Sequence, residues 1–354
     1  MSIRPNSRFL RLIGMIALSG CTVWATLALH DKADSHAGSH ALAGQRIALG
    51  KQLFYDPHLS ADGTIRCASC HIPEKAYTDG RRVAIGIGGQ AGTRNTPSLL
   101  TINAAQETSF FWDGRRNALN QAVLDPLTNP VEMGLRDQAE LLQRVQENPA
   151  YAQAFAQAFP GTNGPITSKL IAAALVDYVR SLHPAENAYD RYVLHDDKSA
   201  LSPRALLGLA IFSGKGHCSE CHRLEGSPAT FTDHAYHRTG VGLNAIAPNL
   251  PSLTEGVIQR SLQGAAVGNR VATHADESQL GRFNVTQDPA DIGLFRTPSL
   301  RGVSHTAPYM HDGSVPTLED AIDREVYYRS LQAGRPLQLS VEERQDLKAF
   351  LEAL

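Results

Sequence analysis

The chain has 354 residues, 33 Lys and Arg against 35 Asp and Glu, a formal net charge of -2 and a pI near 6.7. That balance, with no basic stripe, argues against a nucleic-acid partner held through its phosphates. Five cysteines in so long a chain exclude a disulfide scaffold, while the length suffices for two domains of ordinary size.

Residues 1–30 carry Arg4, Arg8 and Arg11 and then run apolar from Leu12 to Leu29. This is the pattern of a secretory signal or an uncleaved anchor and not of a folded domain. Leu18-Ser19-Gly20-Cys21 resembles a lipobox, which would make Cys21 the acylated first residue of a lipoprotein. The apolar run also continues past it through Val23, Trp24, Leu27 and Leu29, and about 18 such residues can just span a bilayer. Each version expects a body outside the cytoplasm, in the periplasm or cell envelope, with membrane attachment through the N-terminus open.

Cys67-Ala68-Ser69-Cys70-His71 and Cys218-Ser219-Glu220-Cys221-His222 are two copies of C-x-x-C-H. The spacing is the attachment signature of c-type haem: two thiols add to the vinyl groups of one porphyrin, and the next residue sets an imidazole under the iron. His71 and His222 are then the proximal ligands of two covalent haems. The competing account, one zinc held by thiolates and imidazoles, would need the two motifs to meet in space.

The blocks around the motifs repeat in order. The first half reads Gly50-Lys51-Gln52-Leu53-Phe54, haem motif, Tyr77-Thr78-Asp79, Arg94-Asn95-Thr96-Pro97-Ser98-Leu99 and Phe111-Trp112-Asp113-Gly114. The second reads Gly208-Leu209-Ala210-Ile211-Phe212, haem motif, Phe231-Thr232-Asp233, then, after an insertion, Arg296-Thr297-Pro298-Ser299-Leu300 and Tyr309-Met310-His311-Asp312-Gly313. Trp112 and His311 occupy equivalent positions. Between the halves, helical spacing covers 138–159 and 168–182, broken at Pro160-Gly161, and 194–203 reads as a linker. Val341–Leu354 reads as a closing helix capped by Ser340 and Glu343. The expected fold is mostly α and loop-rich with little β: two cytochrome c-like haem lobes, 31–199 and 200–354, related by internal duplication.

Together, the two haem motifs, Phe111-Trp112-Asp113-Gly114-Arg115, Asn129-Pro130-Val131-Glu132-Met133-Gly134 and the block ending His311-Asp312-Gly313 resemble the bacterial dihaem cytochrome c peroxidase and MauG superfamily from about Gln45 to Leu354. The resemblance implies a peroxide site at the first haem and an electron-transfer site at the second. It implies an interhaem relay at Trp112 and a distal acid–base at Glu132, where a carboxylate can move a proton between peroxide oxygens. It also implies a distal Gln121, although that residue stands one position early relative to Trp112. Asn95, Thr306 and Pro308 match an inter-domain calcium site, the last two through backbone oxygens. Arg296 is the candidate partner for a haem propionate.

Two departures bear on function. The segment 81–93 holds no histidine, methionine, lysine or tyrosine where relatives activated by reduction carry a distal ligand, so the first iron is expected to be open to peroxide. At the second haem, the position of the family's distal Met or Tyr falls on Glu325; Tyr328 lies a turn further on the same face, and Tyr327 is two residues away. An oxygen ligand from one of these is favoured over Met310. The leading expectation is a peroxidase that takes electrons from a small cytochrome c or cupredoxin and reduces hydrogen peroxide. The alternatives are a MauG-like oxidant of aromatic side chains on a partner protein and a dihaem electron carrier without chemistry of its own.

Overall fold

In a computed structural model the structure describes residues 40–102, 107–162 and 164–354. The 1–30 segment and Cys21 lie outside the described residues, and no helix among the described residues is long and apolar enough to cross a membrane.

The molecule is mostly helical, and the same helix crossing recurs in each half. A helix over residues 40–54 crosses Ser168–Arg180, which Thr167 caps by accepting from Leu170 N. Ile171, Ala174, Leu175, Tyr178 and Val179 form its buried stripe, at the three- and four-residue spacing that keeps one face inward. With Leu49, Leu53 and Phe54 they build the first core. In the second half Pro203–Ser213 crosses Val341–Leu351, whose start is closed by the expected reciprocal Ser340–Glu343 capping box. Phe212, Leu347, Phe350 and Leu351 centre the second core, joined by Tyr189 and Phe231. A glycine permits each crossing. A Cβ on Gly50 would stand 2.0 Å from Ala174 O, and one on Gly208 2.0 Å from Asp346 O.

One expectation needs correction. The 138–159 stretch is two helices, Gln138–Glu147 and Pro149–Ala158, because Pro149 starts a new first turn and Asn148 Oδ1 accepts from Ala150 N. The insertion in the second half, for which no element was predicted, carries helices Leu250–Leu262 and Val267–Thr273 over a small core of Ile246, Val257, Leu280 and Phe283. Regular sheet among the described residues is limited to Tyr236–His237 paired antiparallel with Phe295–Arg296.

The halves also hold each other reciprocally. Asn95 N donates to His311 O (2.8 Å), and Arg296 N donates to Trp112 O (2.9 Å). Asn95 and Arg296 are equivalent positions of the repeat, as are Trp112 and His311.

Candidate functional site

Two open clefts of about 1600 and 1720 Å³ lie one in each half. Cys67, Cys70 and His71 line the first; Cys218, Cys221 and His222 line the second. The attachment motifs therefore do not meet, which removes the single-zinc account. Burial pushes the thiols of Cys67, Cys70 and Cys218 up to about 12 and raises that of Cys221.

Each histidine is oriented by the same device. His71 Nδ1 lies 2.9 Å from Tyr77 O, and His222 Nδ1 lies 3.0 Å from Phe231 O. A carbonyl can only accept, so Nδ1 carries the proton and Nε2 is left as a lone-pair donor, the usual outer-shell arrangement of an iron-binding imidazole. Burial lowers the pKa of both rings, to about 4 for His222, so both are neutral near pH 7. Tyr77 and Phe231 reach this geometry at φ of +59° and +52°. Such conformations in bulky residues cost on the order of 1–3 kcal/mol and persist where a site over-determines them.

The clefts suit two haems on chemical grounds beyond size. Arg94 Nε, Arg115 Nε, Thr96 Oγ1 and Glu107 Oε1 are buried without hydrogen-bond partners, and all four residues line the first cleft. Arg94 Nε, Arg115 Nε and Thr96 Oγ1 are donors that await an acceptor, which haem propionates would provide, whereas Glu107 Oε1 is itself an acceptor. Arg296 lines both clefts; its NH1 donates to Glu107 Oε2 at 2.7 Å.

In the first cleft Glu132 stands on a turn held by Asn129, whose Nδ2 donates to Glu132 Oε1 (2.9 Å). Burial raises the Glu132 carboxyl above its usual range, and the Arg115 charge opposes this. Arg115 stacks on Phe111 with its guanidinium carbon 3.6 Å from the ring centroid and pairs with Asp113. The segment in which a sixth ligand was sought packs its backbone against this turn: Ile87 N donates to Glu132 O, and a Cβ on Gly86 would sit 1.8 Å from Val131 O. Only Ala84, Ile85, Gly86, Gly92 and Thr93 of 81–93 reach the cleft wall, and none carries an iron-ligating side chain of the kinds expected.

Gln121 is exposed and forms no part of that wall. On the short helix Leu119–Ala122, Leu119, Ala122 and the following Val123 face the cleft, and the roughly 100° turn per residue carries Gln121 away. The distal role expected for Gln121 is thus corrected. Trp112 lines both clefts and donates from Nε1 to Asn95 O (2.8 Å). Its equivalent His311 lines only the second, stacked on Phe295 at 3.5 Å between centroids. Burial, with Arg94 nearby, holds the His311 ring neutral, and its Nε2 lies 2.6 Å from Gln279 Oε1.

The helix Leu318–Ala333 walls the second cleft with Ala321, Ile322, Glu325, Val326 and Arg329. Tyr327 is 54% exposed, and Tyr328 packs on Gly240 outside the cleft, so neither tyrosine reaches it. The expectation that Tyr328 shares the Glu325 face fails because three residues fall short of a full turn, whereas Arg329, four on, stays in line. Met310 lines the cleft from a residue at φ +72°, the twin of Phe111 at +70°. Asn95 Nδ2 donates to Arg81 O (2.9 Å) and Pro308 O (3.2 Å), so Asn95 and Pro308 meet at the lobe junction; the Thr306 hydroxyl donates to Val303 O.

Sequence reasoning passed over several wall residues. Arg115 was in plain view within the Phe-Trp-Asp-Gly-Arg block. Arg329 is visible as Glu325 plus four. Gly268, Val271 and Ala272 come from the insertion to wall the opposite lobe's cleft, for which no local signal exists.

Residues 44–198 match the family model for di-haem cytochrome c peroxidase, and 294–328 match a RoxA-like, cytochrome c-like model. The chain is 34% identical to the methylamine utilization protein MauG of Methylorubrum extorquens, covering 90% of this chain and 80% of that one. It is 35% identical to the cytochrome-c peroxidase IdrP2 of Denitromonas iodatirespirans over 100% and 92% of the two chains. Among solved structures, a MauG-like protein associated with microbial copper homeostasis superposes with a TM-score of 0.67 at 30% identity, over 88% of this chain and 89% of that one. The di-haem peroxidase BthA of Burkholderia thailandensis gives 0.67 at 25% identity, over 87% and 85%.

Proposed function

The chain belongs to the di-haem cytochrome c peroxidase and MauG family, and on that premise we propose that it reduces hydrogen peroxide in the first cleft with electrons entering through the second. One observation carries this: a part-buried carboxyl, Glu132, shares the first cleft with His71, and the 81–93 segment brings no iron-ligating side chain of the expected kinds to its wall. A haem held by Cys67, Cys70 and His71 would supply the iron chemistry for peroxide reduction. The protein's part is acid–base and positional. The Glu132 carboxylate would take a proton from one peroxide oxygen and return it to the other. Asn129 fixes that carboxyl, and Arg115 adds positive charge to the pocket. Trp112, in the wall of both clefts, is the relay between them.

A pure electron carrier would have no use for a part-buried acid–base beside an open position. A second reading, oxidation of aromatic side chains on a partner protein, draws support from the missing distal ligand and from a second-cleft helix whose wall presents Glu325 and no methionine. The lobe boundary at 199/200, export through residues 1–30 to the cell envelope, and a calcium ion held by Asn95 with the backbone oxygens of Thr306 and Pro308 complete the proposal. The calcium would require the Asn95 amide to turn its oxygen toward the Pro308 carbonyl.

Steady-state turnover of hydrogen peroxide with a reduced small c-type cytochrome tests the first reading. Turnover supports it. Peroxide-dependent oxidation of protein aromatics without cytochrome turnover transfers the assignment to the second, and a protein inert to peroxide overturns both.

A further inference from the structure

The second cleft contains one carboxylate donor without a job. Along Leu318–Ala333 the wall positions fall at 318, 321, 322, 325, 326 and 329, one continuous face, and Glu325 is the single carboxylate on it. Thr96 Oγ1 is also buried without a partner, but a neutral hydroxyl is a poor iron ligand; several other polar groups around the cleft are engaged. The Tyr309 hydroxyl donates to Val303 O (3.1 Å), His311 Nε2 is held by Gln279, and His237 Nε2 lies 2.7 Å from Asp233 Oδ2. Arg329 NH2 points at Cys221 Sγ, 2.9 Å away. The Glu325 carboxylate makes no side-chain hydrogen bond among the described residues, although it is sunk in the wall that also carries His222.

We propose that the Glu325 carboxylate is the sixth ligand of the second haem, completing a histidine–carboxylate pair on its iron. This rests on the two-haem reading above and deepens it. Charge and donor type agree with it. Arg329, one turn along the same face, supplies a cation against the carboxylate, so the ligand need not be an isolated buried anion. A hard anionic oxygen favours the more oxidised iron and lowers the reduction potential relative to a thioether. The two tyrosines cannot substitute, one being exposed and the other seated on Gly240. Met310 is the rival donor in the wall.

The test is a spectroscopically resolved potentiometric titration of the full-length two-haem protein as wild type, Glu325→Gln, Glu325→Met and Met310→Leu, with haem counted by pyridine haemochrome. Glu325→Gln is expected to raise the potential of the second haem and leave that of the first. Glu325→Met is expected to raise it further and to gain the near-infrared thioether-to-ferric-iron band. Met310→Leu is expected to change neither. A rise in Glu325→Gln with no thioether band in Glu325→Met would make Glu325 a neighbouring charge only and overturn the proposal. A thioether band already present in wild type and lost in Met310→Leu, or an unchanged potential in both Glu325 variants, would do the same. Failure of the first haem to react with peroxide would instead strike the functional reading, because the ligand assignment is read on the second haem alone.

Discussion

The two haem lobes use one plan and differ where chemistry is asked of them. Both cross two helices over a glycine, both orient a neutral histidine through Nδ1 to a carbonyl held at positive φ, and both place a left-handed residue before the Trp112 or His311 position. The first lobe then fits a part-buried carboxyl, a stacked arginine and a ligand-free loop around its cleft. The second instead lines its cleft with Glu325, Arg329 and the His311–Phe295 stack. The attachment motif and the orientation of its histidine are thus duplicated, whereas the remaining cleft walls are not.

The comparison breaks most completely at Trp112. Trp112→Phe keeps much of the packing but removes an oxidisable indole, so peroxide should still react in the first cleft while oxidation of the second haem is lost in stopped-flow spectra. An unchanged rate would make Trp112 packing only. Next in size, Glu132→Gln should slow the peroxide reaction by roughly 10²–10⁴-fold, the usual worth of a positioned acid–base, while Glu325→Gln leaves that step alone. Because burial raises the Glu132 carboxyl and its base form is the active one, the wild-type rate should climb with pH through that raised pKa. This limb should vanish in Glu132→Gln.

The stabilities of the lobes can be separated in the same way. Arg301 and Asp190, the latter on the helix just before the lobe boundary, form a bidentate pair against the second core, each 3% exposed, and Asp190→Asn should cost about 3–5 kcal/mol by stranding a buried charge. Arg46 and Asp177 of the first lobe pair one-third exposed, so Asp177→Asn should cost about 0–1 kcal/mol in denaturant unfolding. Gly50→Ala and Gly208→Ala should each cost about 1–3 kcal/mol from overpacking at the crossings. Equal losses would confirm that the crossing is the shared element, and an effect confined to one lobe would sharpen their difference.

The residues legible in the sequence were those fixed by short covalent spacing. A C-x-x-C-H pentapeptide carries its geometry within itself, and Glu132 and Trp112 sit inside motif blocks that the fold carries bodily into the cleft walls. What failed depended on rotation or on distance along the chain. A one-residue slip turned Gln121 out to solvent, and three residues instead of four took Tyr328 off the Glu325 face. Asn148-Pro149 split a stretch that looked continuous by apolar spacing alone. The insertion escaped because its buried residues, Ile246, Val257, Leu280 and Phe283, are few and widely separated, and because it walls a cleft belonging to the other half.

The reciprocal bonds between the halves, Asn95 N to His311 O and Arg296 N to Trp112 O, have a consequence for assembly. In an isologous dimer, residue i of one subunit meets j of the other while j meets i. These two bonds obey that rule within a single chain, so the junction between the clefts has the form of a two-fold dimer interface made permanent by covalent fusion. Two separate but identical subunits would have to place the same side chain at both Trp112 and His311. A single chain is free of that constraint at the axis, and there it sets an indole on one side and an imidazole on the other.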